Sequence, residues 1–189
     1  ELAVAVTNIT FSFGYKELSL GNAPVILIAI GSNLSGPLLE SSREICDAAL
    51  NLLERHDIRI AKRSRWYRSS PVPASDQPDF INGIFSVESG LGPVPLLRLL
   101  HETEDRFGRT RSRPNAARTL DLDLIDYRGC VRPGPEAPVL PHPRLAERAF
   151  VLLPLSEIAP AWRHPVTGEA LADLIAALPP GQTCVPAEG

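Results

Sequence analysis

From Pro24 onward, apolar and polar positions fall into blocks whose period switches between two and about 3.6. Val25 to Ile30 is continuously apolar and closes on Gly31-Ser32-Asn33, the pattern of a short strand buried on both faces. Ser35 offers an N-cap and Pro37 a first-turn position. Leu38, Ser42, Ile45, Ala49 and Leu52 then recur at steps of four and three, predicting one face of a helix running to about Arg55. Ile58 and Ile60 open a second strand that continues to Trp66-Tyr67. Ser69 to Pro78 carries Pro71, Pro73 and Pro78 and reads as an irregular loop. Phe80 to Glu88 alternates as a third strand, and Pro93 to Phe107 is a second amphipathic helix ended by Gly108. Leu120 to Tyr127 makes a fourth strand. The order βαββαβ predicts an α+β fold, a ferredoxin-like split βαβ sandwich with an antiparallel sheet and helices packed on it. A C-terminal extension follows, with helical patterns near Arg148–Ile158 and Glu169–Leu178.

Residues 1–23 stand apart from this body, which occupies residues 24–189. Leu2, Val4 and Val6 alternate with small residues, then Ile9, Phe11 and Phe13 alternate in a shifted register. A strand of its own, the tail of an upstream domain and an appended tag all fit that pattern. With no methionine anywhere, the sequence reads as a trimmed or processed piece.

Composition narrows the class. Of 189 residues, 44% are hydrophobic and 22% charged, enough apolar surface for a real core. A net charge of −3 argues against a general nucleic-acid coat, which needs a basic excess. Cys46, Cys130 and Cys184 are an odd, widely spaced set that suggests neither a disulfide framework nor a zinc site. Cys46 falls in a helical pattern as a small buried hydrophobe. No apolar run approaches the roughly 20 residues of a membrane span, and the first residues lack the features of a signal peptide. A reduced, cytoplasmic protein is expected.

The sharpest chemical feature is Asp121-Leu122-Asp123. Alternation along a strand puts both carboxylates on one face and Leu122 and Leu124 in the core. Two adjacent acids suit Mg²⁺, which takes one or two carboxylates plus substrate phosphates. An isolated Asp-x-Asp is more readily a solvent-facing edge, but the preceding loop shifts the balance. It carries Arg106, Arg109, Arg111, Arg113 and Arg118 with no acid between them, and guanidinium groups bind phosphate oxygens bidentately. His142, between Pro141 and Pro143, and Arg148 are further phosphate donors in reach of the same reading. His101 and Glu104, off the leucine face of the second helix, read by themselves as a solvated face. Phe80 and Asn82 share one strand face and could stack and hydrogen-bond a flat heterocycle; alone, a core Phe with a capping Asn describes them better. No G-x-x-x-x-G-K-[ST] loop and no protein-kinase motif set occurs.

Seven segments together resemble one family, the 6-hydroxymethyl-7,8-dihydropterin pyrophosphokinases of folate biosynthesis. They are Ile30-Gly31-Ser32-Asn33-Leu34; Tyr67-Arg68-Ser69-Ser70-Pro71; Asp76-Gln77-Pro78-Asp79-Phe80-Ile81-Asn82; and Glu104 with Gly108-Arg109-Thr110-Arg111. Arg118-Thr119-Leu120-Asp121-Leu122-Asp123, Pro141-His142-Pro143-Arg144 with Arg148-Ala149-Phe150, and Pro154-Leu155-Ser156-Glu157-Ile158-Ala159-Pro160 complete the set. The resemblance runs from Pro24 to about Leu178. It implies transfer of pyrophosphate from ATP to the pterin hydroxymethyl group, with two Mg²⁺ ions on Asp121 and Asp123. It implies Arg109 and Arg118 at the transferring group, and Arg111, His142 and Arg148 on the phosphates, with His101 and Glu104 near the nucleotide. Phe80 and Phe150 would sandwich the pterin, and Asn82 with backbone groups of Ser69, Ser70 and Val72 would read its edge. The loop from Arg109 to Arg118 would close over ATP, although it lacks the Trp of the well-studied bacterial pattern. A monomer is expected, and because neighbouring pathway enzymes are fused in this family, residues 1–23 could be a remnant of one. The rival readings are an RNA-binding module using the Arg-rich loop and a different Mg-nucleotide transferase on the same scaffold.

Overall fold

Apolar runs of five to nine residues separated by two amphipathic stretches fold here into one antiparallel sheet with helices on both faces. The computed structural model describes residues 24–36, 39–56, 58–110 and 116–188. Strand β1 (Ile26–Ser32) is central and buried along its whole length, as its unbroken apolar run requires. It pairs with β4 (Phe80–Glu88) on one side and β5 (Asp121–Tyr127) on the other. The predicted second strand is two pieces, β2 (Arg59–Arg63) and β3 (Tyr67–Ser69), both paired to β4. A register shift between Ile60 and Lys62 bends the chain there, and no local pattern announces it. A further strand, β6 (Cys184–Pro186), extends the sheet beyond β3 and was not foreseen. The path β5-β1-β4-β3-β6, with β2 also on β4, contains the predicted split βαβ arrangement.

Helices α1 (Ser42–Glu54) and α2 (Pro93–Arg106) cover one face of the sheet. They bury Ile45, Cys46, Ala49, Leu50 and Leu53 of α1 and Leu96 and Leu100 of α2 against Ile26, Ile28, Ile30, Leu122 and Leu124. Each Ile or Leu side chain among these contributes about 1.5–3 kcal/mol when fully buried. The helix begins at Ser42 rather than at the Ser35 expected from the sequence. Ser41 and Glu44 form a reciprocal capping box, which satisfies first-turn donors that Ser35 would leave open. The buried stripe accordingly turns onto Leu53 in place of Leu52. The C-terminal extension packs on the opposite face. There, α3 (Ala149–Ile158) and α4 (Leu171–Ala176) bury Leu27, Ala29, Ile84 and Ile125 together with Trp162.

The strands end together at one edge of this sandwich, and that edge carries the site. The last residues of β1 and β3 and the first residues of β4 and β5 converge there, roofed by the N-terminus of α3. In β5, Leu122 and Leu124 enter the core while Asp121 and Asp123 face the other way, as strand alternation dictates. A β-bulge near Ile125 breaks the alternation, because Leu27 pairs with Asp126 and Ile28 with Leu124. Buried Asp126 therefore meets the α3–α4 layer, accepting from Trp162 Nε1 at 2.8 Å and from the Gly129 backbone at 2.9 Å. Burial raises the Asp126 pKa, with those donors opposing it.

Candidate active site

A cleft at this edge is lined by two aromatic rings at one end and by acids and arginines at the other. Phe80 and Asn82 from β4, Ser69 at the end of β3, and Ser70 and Val72 beyond it form one wall; Phe150 from α3 forms another. Asp121, Asp123, Arg118 and Arg148 complete the lining. Ten of the sequence-predicted residues are thus brought into one cavity. Arg109 and His142 stand directly behind the two acids.

The amide at the slot is held from both sides. Asn82 is buried, pairs with Gly31 across β1 and β4, and donates from Nδ2 to Ser69 Oγ at 2.9 Å. A Cβ on Gly31 would lie 2.9 Å from Asn82 Oδ1, closer than real Cβ contacts allow. Glycine at 31 therefore makes room for the carboxamide. The rings abut the polar end: the Arg118 guanidinium lies 5.6 Å from the Phe80 centroid and that of Arg148 lies 5.4 Å from the Phe150 centroid.

The polar end pairs three arginines with three acids. Arg109 Nη1 faces Glu104 Oε1, Asp121 Oδ1 and the Leu120 carbonyl. Arg118 Nη1 donates to Asp121 Oδ2 at 2.9 Å, and Arg148 Nη1 to Asp123 Oδ2 at 3.3 Å. Burial alone would lower the Arg109 pKa, but Asp121 and Glu104 outweigh it and raise it. Burial lowers that of Arg148 despite Asp123; a guanidinium remains charged in either case. Arg148 Nε is buried without a hydrogen-bond partner. A buried donor is costly to leave unpaired, so this one suits an incoming anion.

His142 has its Nε2 3.9 Å from Asp123 Oδ2, and its Nδ1 accepts from the Arg144 backbone at 3.2 Å. Accepting at Nδ1 puts the proton of the neutral ring on Nε2, toward Asp123. Burial pushes the imidazole below its ordinary value, Asp123 opposing and Arg148 and Arg144 reinforcing the shift.

Glu104 overturns its solvated-face reading. It is 1% exposed and accepts from the Leu122 backbone at 2.8 Å as well as from Arg109. Its spacing of four from Leu100 and eight from Leu96 puts it on their buried stripe, a signal present in the sequence. His101, one turn earlier on α2, is half-buried and does not line the cleft. Residues 111–115 of the predicted closing loop, Arg111 among them, lie outside the described residues, as do residues 1–23.

Asp121 and Asp123 offer hard oxygen donors at the cleft, each partly exposed, with side-chain accessibilities of 22% and 31%. Among the described residues no third His, Cys, Asp or Glu joins them in a metal-binding group. That set fits Mg²⁺, which completes its shell with water and phosphate oxygens, better than it fits a closed transition-metal site.

An aromatic slot opening onto paired acids and arginines is an arrangement suited to a flat ring beside phosphate oxygens. The chain belongs to the 7,8-dihydro-6-hydroxymethylpterin-pyrophosphokinase (HPPK) family, whose model matches residues 27–160. It is 39% identical over 155 residues to the 2-amino-4-hydroxy-6-hydroxymethyldihydropteridine pyrophosphokinase of Pseudomonas aeruginosa, covering 82% of this chain and 91% of that one. It is 38% identical over 149 residues to the enzyme of the same name from a Synechocystis species, covering 79% of this chain and 73% of that one. A mitochondrial folate synthesis bifunctional protein of Arabidopsis thaliana is 38% identical over 133 residues, 70% of this chain and 23% of that one. Among solved structures, HPPK-DHPS of Plasmodium falciparum shares the fold, with a TM-score of 0.63 at 13% identity; the match covers 85% of this chain and 45% of that larger one.

Proposed function

We propose that this chain transfers the pyrophosphoryl group of ATP to the hydroxymethyl oxygen of 6-hydroxymethyl-7,8-dihydropterin, using Mg²⁺ held by Asp121 and Asp123. Pterin pyrophosphokinase activity in folate biosynthesis follows from the family; the donor, the metal and the residue roles are the proposal. The observation that carries it is the continuity of the Phe80–Phe150 slot with the carboxylate and arginine end of one cleft.

Phe80 and Phe150 bracket the flat ring, and Asn82 with the Ser69–Val72 backbone reads its edge. This sets the hydroxymethyl group beside Arg118. Its oxygen bonds to the β-phosphorus of ATP and gives up its proton to water, while the bond from that phosphorus to the α–β bridging oxygen breaks, and AMP leaves. Such transfer depends on in-line positioning and charge neutralisation more than on covalent help from the protein. Arg109 and Arg118 stabilise charge on the transferring group, and Arg111, Arg148 and the Nε2–H of His142 hold phosphate oxygens. Glu104 is the enclosed anchor that fixes Arg109. When bound, Mg²⁺ would neutralise phosphate charge.

No helix among the described residues is long and apolar enough to cross a membrane. Cys46, Cys130 and Cys184 are free thiols, which accords with a cytoplasmic setting. The chain is proposed to act as a monomer, alone or beside an attached folate enzyme, as the bifunctional relatives suggest.

The test is a product assay with ATP, Mg²⁺ and the pterin, nucleotides being separated by chromatography. Pterin-dependent AMP is expected. ADP in its place would reveal a simple kinase and overturn the reading.

A further inference from the structure

The helix that presents both Arg148 and Phe150 to the cleft lacks a cap of its own. Its N-cap residue is Arg148, whose side chain is committed to Asp123 and makes no capping hydrogen bond. The first backbone N–H groups of a helix need partners from elsewhere. One comes from a residue 33 positions away: Gln182 Oε1 accepts from Ala149 N at 3.0 Å, and Gln182 Nε2 donates to the Glu147 carbonyl at 2.8 Å. One carboxamide thus ties both sides of the Arg148 backbone.

The same short segment holds the opposite wall. Ser70 N donates to the Thr183 carbonyl at 3.2 Å, and Ser69 pairs with Cys184 across β3 and β6. Ser69 is the hydroxyl that fixes Asn82. Residues 182–184 therefore clip the ring wall on β3 to the ring wall on α3.

We propose that Gln182 is a positioning residue for the heterocycle slot, setting the spacing between the Phe150 side and the Ser69–Asn82 side without touching substrate. The inference rests on the reading of the cleft as a pterin site. Arg109 and Arg118 are anchored instead through Glu104, Asp121 and Asn33, so these two arginines are held independently of the Gln182 clamp, whereas Arg148 shares it.

The experiment is steady-state kinetics of Gln182→Ala and Gln182→Glu in the full chain, with both substrates varied. Gln182→Ala is expected to raise the pterin KM roughly tenfold, as loss of a two-bond clamp implies, while the ATP KM, which feels the clamp only through Arg148, rises by about threefold or less. Gln182→Glu keeps the oxygen that accepts from Ala149 but sets a second carboxylate oxygen against the Glu147 carbonyl, so its pterin KM should rise about as much as that of Gln182→Ala. An unchanged pterin KM in Gln182→Ala, or equal rises in both KM values, overturns the inference. Should Gln182→Ala not fold, Gln182→Glu decides: a pterin KM equal to wild type overturns it. Absence of pterin-dependent AMP from the wild-type protein would instead end the underlying reading, which separates the two failures.

Discussion

Asn33 and Arg118 hold each other by two hydrogen bonds: Arg118 N donates to Asn33 Oδ1 at 2.9 Å, and Asn33 N donates to the Arg118 carbonyl at 3.2 Å. Asn33 Nδ2 also reaches the Pro78 carbonyl at 3.1 Å. One buried carboxamide therefore joins the loop after β1, the loop before Phe80 and the segment that carries Arg118. Asn33→Ala removes the side-chain bonds and leaves the backbone bond. Its kcat should fall about fivefold, since losing the bond to Arg118 N, worth about 1 kcal/mol, loosens the arginine. Steady-state assays check this, and an unchanged kcat would mean that Arg118 needs no such support.

Asp121→Asn and Asp123→Asn preserve shape and remove charge. Each should lower kcat/KM on the order of 10³-fold or more, the scale of losing electrostatic stabilisation in the transition state. EDTA should abolish wild-type turnover, and added Mg²⁺ should restore it. Circular dichroism of both variants should match wild type. Turnover near the wild-type rate in either would remove the metal-ligand assignment.

Gly31→Ala places a methyl 2.9 Å from Asn82 Oδ1. Overpacking of this kind costs about 1–3 kcal/mol. Because Asn82 is clamped to Ser69 on its other side, the strain should fall on the slot. The pterin KM should rise severalfold with little change for ATP, which equilibrium titration with each substrate would distinguish.

His164 supplies a pH dependence far from the cleft. Its Nδ1 accepts from Val166 N and Thr167 N, each at 3.3 Å, and burial pushes its pKa below the ordinary histidine value, with Glu169 opposing. A lowered histidine pKa means the unfolded chain binds the proton more readily. The stabilisation is therefore complete above the unfolded value of about 6.5 and is lost as pH falls through the folded value. His164→Asn retains an acceptor that does not titrate. Its urea midpoint should fall less than that of wild type between pH 8 and pH 5.

Much of this was legible from the chain. The alternation of Asp121 and Asp123 against Leu122 and Leu124, the bounds of β4 and the burial of Cys46 all follow from local period and composition. The bulge within β2, the break between β2 and β3, the three residues of β6 and the clip by Gln182 did not show. Each depends on a partner many residues distant, and such contacts leave no period in a local window. Glu104 differs: its stripe was readable, but a carboxylate on an apolar stripe is usually assigned to solvent until a buried guanidinium and a backbone N–H are known to meet it. Asn33 shows no role in the local sequence, because its partners lie 45 and 85 positions away.

The three-to-three pairing of Arg109, Arg118 and Arg148 with Glu104, Asp121 and Asp123 changes what substrate entry means. These arginines are already neutralised before a nucleotide arrives. Under the proposed function, loading the cleft would be a partner exchange, in which phosphates would take the arginines and cations the aspartates they release. Binding of that kind would depend on ionic strength less steeply than capture of a polyanion by an uncompensated basic patch, and it would resist a nucleotide arriving without its metal.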